Sequence, residues 1–185
     1  MTTGQRATRA PRAFAAALAC VALATAGVAR AAAVPQLAQL PQRWQDDDGR
    51  ELALGQLSGD RVILTMAYAS CHRICPATIN ALAAMQKRLD ARGETAAFVV
   101  VGYDPDNDDA AAWREYRRRH HLERANWHFL SGTRAHTEQL ARALGFDFWK
   151  YDEHVMHGSR ALVFDASGRL QVALGPETRD WASVL

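Results

Sequence analysis

Two cysteines in the middle of the chain have the type and spacing best suited to chemistry. Three residues separate Cys71 from Cys75, and Pro76 follows directly. Two thiols placed this way, one in a loop and one at a helix start, can converge on one soft metal ion. A helix N-terminus also favours negative charge and lowers the pKa of a thiol, so the pair is equally suited to redox chemistry. Two sulfurs are too few for a structural zinc site, so a bound metal would need a further ligand.

Seven histidines are candidates for that ligand. Four lie on or beside predicted helices and are better explained as surface or core residues: His120, His121, His128 and His136. The other three need separate consideration, because one lies between the cysteines and two come late in the chain: His72, His154 and His157.

The elements that must position these residues alternate between strand and helix. An Asp-Gly turn predicts a hairpin over residues 44–54, and the apolar run 62–67 predicts a buried strand that leads into the cysteine loop. Apolar residues recur every three or four positions from Ile79 to Leu89, which predicts a helix that begins at Pro76 and ends at Gly93.

The rest of the chain continues this alternation. Strands are predicted at 97–101, 127–130, 161–165 and 170–174, helices at 109–120 and 133–144, and a final helix from near Thr178. Asp104 and Asp108 are interpreted as turn and helix-cap residues. Residues 146–157 are interpreted as a linking stretch that leads to His157.

This order predicts an α/β fold of the thioredoxin-like class, with a central mixed sheet flanked by helices and an N-terminal β-hairpin. Such a fold places its active site between the first core strand and its helix, where the cysteines lie. His157 precedes the late strand pair, and that junction lies next to the cysteine loop in a thioredoxin-like sheet. A cis-proline usually occupies the position, but Pro176 comes too late, so the position is open to a metal-binding side chain.

The first 33 residues predict a targeting segment. Three arginines precede an alanine-rich apolar run, and small residues up to Ala33 offer a signal-peptidase site. The run is short for a spanning helix, which needs ~20 apolar residues, although an uncleaved membrane anchor stays open. Cleavage is favoured over lipidation at Cys20, because Ala17 stands where a leucine would be expected. The predicted organisation is a signal peptide over 1–33, a Pro- and Gln-rich linker over 34–43 and one domain over 44–185.

Removal of that segment changes the charge and the cysteine count. It carries four arginines and no acids, so Lys+Arg falls from 22 to 18 against 20 Asp+Glu, and the net charge becomes about −2. No basic surface remains to indicate nucleic-acid binding. Only Cys71 and Cys75 remain, and a disulfide that closes so short a loop adds little stability. The pair is therefore not explained by stability alone.

Several motifs resemble the Sco/SenC family of copper-binding thioredoxin-fold proteins. Tyr68-Ala69-Ser70 ends the strand before a C-x-x-x-C-P motif, and Asp104-Pro105 with Asp108 follows the next strand. Trp127 to Thr133 and Val155-Met156-His157 match two further family stretches. The resemblance implies that Cys71, Cys75 and His157 bind copper. It also implies delivery to a protein client, the copper subunit of cytochrome c oxidase, from a periplasmic location.

Three positions depart from the family pattern. The family often has proline where this chain has His72, aspartate where it has Met156, and an aromatic residue where it has Leu162. Met156 is interpreted as apolar packing, with ligation as a minority alternative, since a thioether suits Cu(I). These changes leave the three implied ligands intact and put the client in question.

Three functions remain open from the sequence. A metallochaperone uses all three ligands, an exposed loop and no substrate pocket. A thiol–disulfide oxidoreductase needs only Cys71 and Cys75 as catalytic residues and leaves His157 unexplained. A redox sensor would use the thiol pair as a switch. The sequence favours the metallochaperone and leaves enzymatic activity undecided.

Overall fold

The computed structural model describes residues 1–2, 34–57, 60–71, 74–152 and 154–185. The predicted targeting segment, apart from its first two residues, lies outside the described residues, and so does His72. Ala33–Leu185 form one compact unit. Within the described part of the chain, no helix is long and apolar enough to cross a membrane.

Nine strands and three α-helices make up the described fold. The strands are β1 (Arg43–Asp46), β2 (Glu51–Ala53), β3 (Val62–Ala67), β4 (Ala97–Gly102), β5 (Trp127–Ser131), β6 (Phe148–Tyr151), β7 (His154–His157), β8 (Ala161–Phe164) and β9 (Leu170–Leu174). The helices are α1 (Ile74–Arg92), α2 (Ala110–His120) and α3 (Arg134–Leu144).

Seven strands form one mixed sheet in the order β2-β1-β5-β4-β3-β8-β9. The three central strands β3, β4 and β5 are parallel, and the flanking strands pair antiparallel. All six residues of β3 and all six of β4 are buried, as a strand covered on both faces requires. The predicted α/β fold with a mixed sheet, flanking helices and an N-terminal hairpin is confirmed.

The helices begin and end where local chemistry predicts. The Asp109 side chain accepts a hydrogen bond from the N–H of Ala112 at the start of α2, and Thr133 does the same for His136 at the start of α3. Gly93 and Gly145 follow helix ends at φ 68° and 70°, a left-handed conformation that glycine adopts without a Cβ clash.

Two predicted helices differ from the structure. Helix α1 begins at Ile74 rather than Pro76, which is tolerated because a first-turn residue needs no backbone N–H. The predicted final helix is wrong: only a short 3-10 turn, Trp181–Val184, is present. The buried Trp181 indole donates to the Gly175 carbonyl and fixes this turn against the preceding loop.

Two stretches that were expected to be irregular are partly ordered. The linking stretch contains the antiparallel pair β6–β7, a separate two-stranded sheet. The stretch predicted as a linker contains a 3-10 turn, Leu37–Gln39, in which Leu37 is fully buried and its N–H donates to the Gly168 carbonyl. Part of residues 34–43 therefore belongs to the folded unit.

Candidate metal site

The cysteine loop joins the central strand β3 to helix α1. The N–H of Cys71 donates to the Tyr68 carbonyl at 3.0 Å, which turns the chain directly after the strand. Cys75 lies in the first turn of α1, and its N–H donates to Cys71 Sγ at 3.3 Å. The otherwise unpaired N–H groups at this helix start therefore favour negative charge on Cys71.

His157 reaches the same point from a different part of the chain. It is the last residue of β7, opposite Phe148 on β6. Its Nε2 lies 3.3 Å from Cys75 Sγ and 3.9 Å from Cys71 Sγ. The three ligand atoms all lie within 4.8 Å of one another, so the predicted convergence of these residues is observed.

The imidazole of His157 is oriented for a bond through Nε2. Its Nδ1 lies 2.9 Å from the Gly158 carbonyl oxygen, and because a carbonyl only accepts, Nδ1 carries the proton. The ring is packed between Tyr68, edge-on at 5.7 Å, and Tyr103 at 4.8 Å between ring centroids. A neutral imidazole held this way presents the Nε2 lone pair to the two sulfurs.

The three candidate ligand residues are buried. Cys71, Cys75 and His157 are 5%, 0% and 6% exposed. A side-chain hydrogen bond with Cys71, followed by burial, raises the pKa of the Cys75 thiol above its usual range. Burial, followed by a side-chain hydrogen bond with Cys71, raises the pKa of Tyr68 to about 12, so its hydroxyl stays protonated beside the sulfurs.

These donors fit a soft metal ion. Thiolate–metal bonds of about 2.3 Å place two donors on one ion no more than roughly 4.6 Å apart, and the observed spread of 4.8 Å is close to that limit. No disulfide joins Cys71 to Cys75 in this structure. Among the described residues, these three are the one group of His, Cys, Asp and Glu side chains arranged to hold a metal.

Asp108 has a role that the sequence interpretation missed. Its carboxylate accepts hydrogen bonds from the N–H groups of Ala69 and Asp104, both at 2.8 Å, while Asp109 caps the helix. Asp108 thereby ties the cysteine loop to the β4–α2 loop. Gly102 makes room for it, since a Cβ there would lie 2.8 Å from Asp108 Oδ2.

Burial raises the pKa of the Asp108 carboxyl to about 7, although the two N–H donors lower it. The side chain is only 1% exposed, so its charged form has little water around it. The sequence contained one signal of this role. Asp108 directly precedes Asp109, which can also cap the helix, and one helix start needs only one N-cap residue, so one of the two aspartates was available for another role. The cap interpretation of Asp108 is therefore wrong.

Met156 does not pack into the core as the sequence analysis expected. Side chains alternate along β7, so Val155 and His157 are buried while His154 and Met156 are exposed. Met156 is 40% exposed and points away from the cysteines, which excludes it from the three-residue site. His154 lies on the same outer side and is excluded for the same reason.

One further hydrogen bond joins the two halves of the site. Thr78 Oγ1 on α1 and Ser159 Oγ, two residues after His157, lie 2.8 Å apart. Because α1 carries Cys75, this contact sets the distance between the helix and the segment that follows the histidine.

The comparisons with known proteins agree with this geometry. The SCO1/SenC family profile matches residues 34–184. A curated relative from Bacillus subtilis, described as a SCO1 protein homolog, is 27% identical over 92 residues. That match covers 50% of this chain and 48% of the relative, about half the length of each.

Two solved structures share the fold. Arabidopsis thaliana ScoI with copper bound is 22% identical, with a TM-score of 0.68 over 77% of this chain and 89% of its own. BsSco, described as having a disulfide switch and as a member of the Sco family of cytochrome c oxidase assembly proteins, is 21% identical. Its TM-score is 0.68 over 82% of this chain and 88% of its own.

Proposed function

The chain belongs to the SCO1/SenC family, and we propose that it is a metallochaperone that binds copper through Cys71, Cys75 and His157. The observation that carries this proposal is the convergence of two thiol sulfurs and one imidazole nitrogen within 4.8 Å in a buried site. Residues from two distant parts of the chain would not meet in this way for a purely local structural reason.

The donor set favours Cu(I) over other metals. Two thiolates and one imidazole are soft and borderline ligands, whereas structural zinc sites take four such ligands. The described residues supply no fourth His, Cys, Asp or Glu to this group. A three-coordinate cuprous ion needs none. When bound, copper would displace the thiol protons, and the N–H of Cys75 would then donate to the Cys71 thiolate.

Family membership and the predicted targeting segment support a proposal about the cargo and its destination. We propose delivery to a copper-binding protein client in cytochrome c oxidase assembly, and action in the periplasm after export by residues 1–33. The comparison with BsSco supports the assembly role, since that protein is described as a member of such a family.

A thiol–disulfide reductase is the second candidate, because the Cys75 N–H stabilises a thiolate on Cys71. Burial argues against it. An attacking thiolate must reach a substrate disulfide, and here one sulfur is 5% exposed and the other fully buried. The reductase also leaves unexplained why His157 Nε2 lies 3.3 Å from Cys75 Sγ.

The experiment is a Cu(I) titration of the reduced protein in competition with a chromogenic chelator. We expect the wild type to bind one equivalent of Cu(I) tightly and Cys71→Ser or Cys75→Ser to abolish this binding. His157→Ala should weaken the copper affinity by more than about 100-fold, because losing a residue that only hydrogen-bonds to a metal ligand already lowers metal affinity by about 10–100-fold. The matched control is His121→Asn, at an exposed left-handed position that asparagine tolerates.

Two results would overturn the chaperone proposal. One is a wild-type protein that takes up no copper, and the other is His157→Ala with unchanged affinity. Turnover of a disulfide substrate that survives His157→Ala and disappears with Cys71→Ser would favour the reductase instead.

A further inference from the structure

The β6–β7 hairpin has a second, outward side that the site described above does not use. Its inward side carries Phe148, Val155 and His157, which are buried or half-buried. We call the opposite side the outer face and define it by four exposed residues: Trp149, Tyr151, His154 and Met156. Trp149, Tyr151 and Met156 are 57%, 70% and 40% exposed. Three such side chains on one small hairpin are unusual, because large apolar groups are normally buried.

The strand register brings three of these side chains together. Trp149 lies directly opposite Met156, and Tyr151 lies directly opposite His154. Directly opposed residues have Cβ atoms about 4.5–5.5 Å apart, and diagonal neighbours lie within about 7–8 Å. His154 and Met156 are two positions apart on one strand and share a side. An indole, a thioether and an imidazole therefore occupy one exposed patch.

This combination suits a cuprous ion. A methionine thioether is a soft ligand and a histidine imidazole suits copper. The face of a tryptophan ring attracts a cation placed within about 6 Å. The patch contains no thiolate and is open to water, so it must bind more weakly than the buried site on the other side of the strand.

We propose that His154, Met156 and Trp149 form an outer, low-affinity Cu(I) site that receives the ion before it enters the buried site. The proposal rests on the proposed copper cargo and adds an entry point for it. His157, a ligand of the buried site, follows Met156 directly on the same strand, so the two sites are back to back on one hairpin.

Transfer between the two sites is a ligand exchange without electron transfer. The bonds from Cu(I) to the Met156 thioether and the His154 imidazole break. New bonds form to Cys71 Sγ, Cys75 Sγ and His157 Nε2, and the protons of the two thiols pass to water. Copper remains Cu(I) throughout, and the gain of two thiolate bonds drives the ion inward.

The test uses the full chain with Cys20→Ser, Cys71→Ser and Cys75→Ser, so that no thiol competes with the outer site for the ion. Silver(I), a redox-inert ion that prefers the same soft ligands, is titrated while methionine methyl groups are followed by NMR. We expect a saturable shift of the Met156 methyl signal and of the exposed Trp149 indole signal. Met66 and Met85, which are 2% and 0% exposed, should not move.

Variants on the outer face separate ligation from non-specific binding. Met156→Leu keeps an apolar side chain of similar size, and His154→Asn keeps polarity. Each should lower silver affinity by at least about tenfold, the lower end of the cost of losing even an outer-shell partner. Tyr151→Phe, on the same face without a proposed ligand atom, is the matched control and should bind as the parent does.

Three outcomes overturn the proposal: an unmoved Met156 methyl in excess silver, an unchanged affinity in Met156→Leu, or an equal loss in Tyr151→Phe. If the serine variant does not fold, the same titration is run on the wild-type chain with one equivalent of Cu(I) already in the buried site. Failure of the outer site leaves the copper titration of the buried site unaffected, so the two proposals fail separately.

Discussion

The two halves of the proposed metal site are held by very different structures. Cys71 follows β3, which lies between β4 and β8 inside a seven-stranded sheet and is buried at all six residues, and Cys75 lies in the first turn of α1. His157 extends from β7, one strand of a two-stranded hairpin with an exposed outer face. Segments with fewer buried contacts open more readily, so we expect the two-stranded hairpin that carries His157 to open more easily than β3.

This difference would suit the proposed metallochaperone, which must release its ion to a client. Under that proposal, His157 on the smaller, two-stranded hairpin is the ligand best placed to leave first. Besides the contact between His157 Nε2 and Cys75 Sγ, the Thr78–Ser159 hydrogen bond ties the histidine segment to the cysteine helix. Three experiments test how far the two halves are independent.

The largest expected effect comes from the core beneath the cysteines. Leu82 on α1 is fully buried, so Leu82→Ala should lower the free energy of unfolding by roughly 3 kcal/mol, within a usual range of 2–5. Val155→Ala removes only two methyl groups from the hairpin and should cost about 1.5 kcal/mol or less. Urea unfolding measures both changes.

Copper affinity should rank these two variants in the opposite order. Val155→Ala loosens the strand that carries His157, whereas folded Leu82→Ala keeps its ligands in place. Two results would contradict the difference between the two halves. One is a fall in the free energy of unfolding in Val155→Ala as large as that in Leu82→Ala, and the other is a Val155→Ala variant that binds copper as tightly as the wild type.

The second-largest expected effect is a pH dependence of the stability, caused by Asp108, which is hydrogen-bonded to the N–H of Ala69 just before Cys71. Asp108 has a pKa of about 7 when folded and an ordinary value of 3.8, so the folded state binds more protons between these values. Its contribution to stability is therefore complete at low pH and is lost as the pH rises through about 7. Between pH 5 and pH 8 the free energy of unfolding should fall by about 2–3 kcal/mol more in the wild type than in Asp108→Asn, because the asparagine side chain cannot ionise.

Urea unfolding of both proteins at the two pH values measures this difference, in which other titrating groups cancel. Parallel pH profiles would show that Asp108 is ionised in both the folded and the unfolded protein. Such a result would contradict the prediction that Asp108 makes the stability depend on pH.

The smallest effect concerns the contact between the halves. In a double-mutant cycle of Thr78→Val and Ser159→Ala, the coupling free energy should be about 1 kcal/mol, the net worth of one hydrogen bond. The same cycle on copper affinity should show coupling, because the contact positions the segment after His157. Zero coupling in both measurements would mean that the halves are positioned independently.

Much of the fold was predictable because its signals are local. The runs Val62–Ala67 and Ala97–Gly102 are apolar and β-branched, which marks buried strands. Asp109 and Thr133 begin helices with short side-chain acceptors. The β6–β7 hairpin was missed because each strand has only four residues and its alternation of buried and exposed side chains is short. The final helix was wrong because the tertiary contact of Trp181 holds a 3-10 turn instead.

The sequence by itself determined the thiol pair, its place between a buried strand and a helix start, and His157 as the candidate third ligand. Only the tertiary structure decided that His157 faces the sulfurs while His154 and Met156 face outward. Side chains alternate along a strand, so a shift of one residue in the pairing with β6 would exchange the two sides. That register depends on contacts between distant segments, as does the reach of Asp108 to the Ala69 N–H.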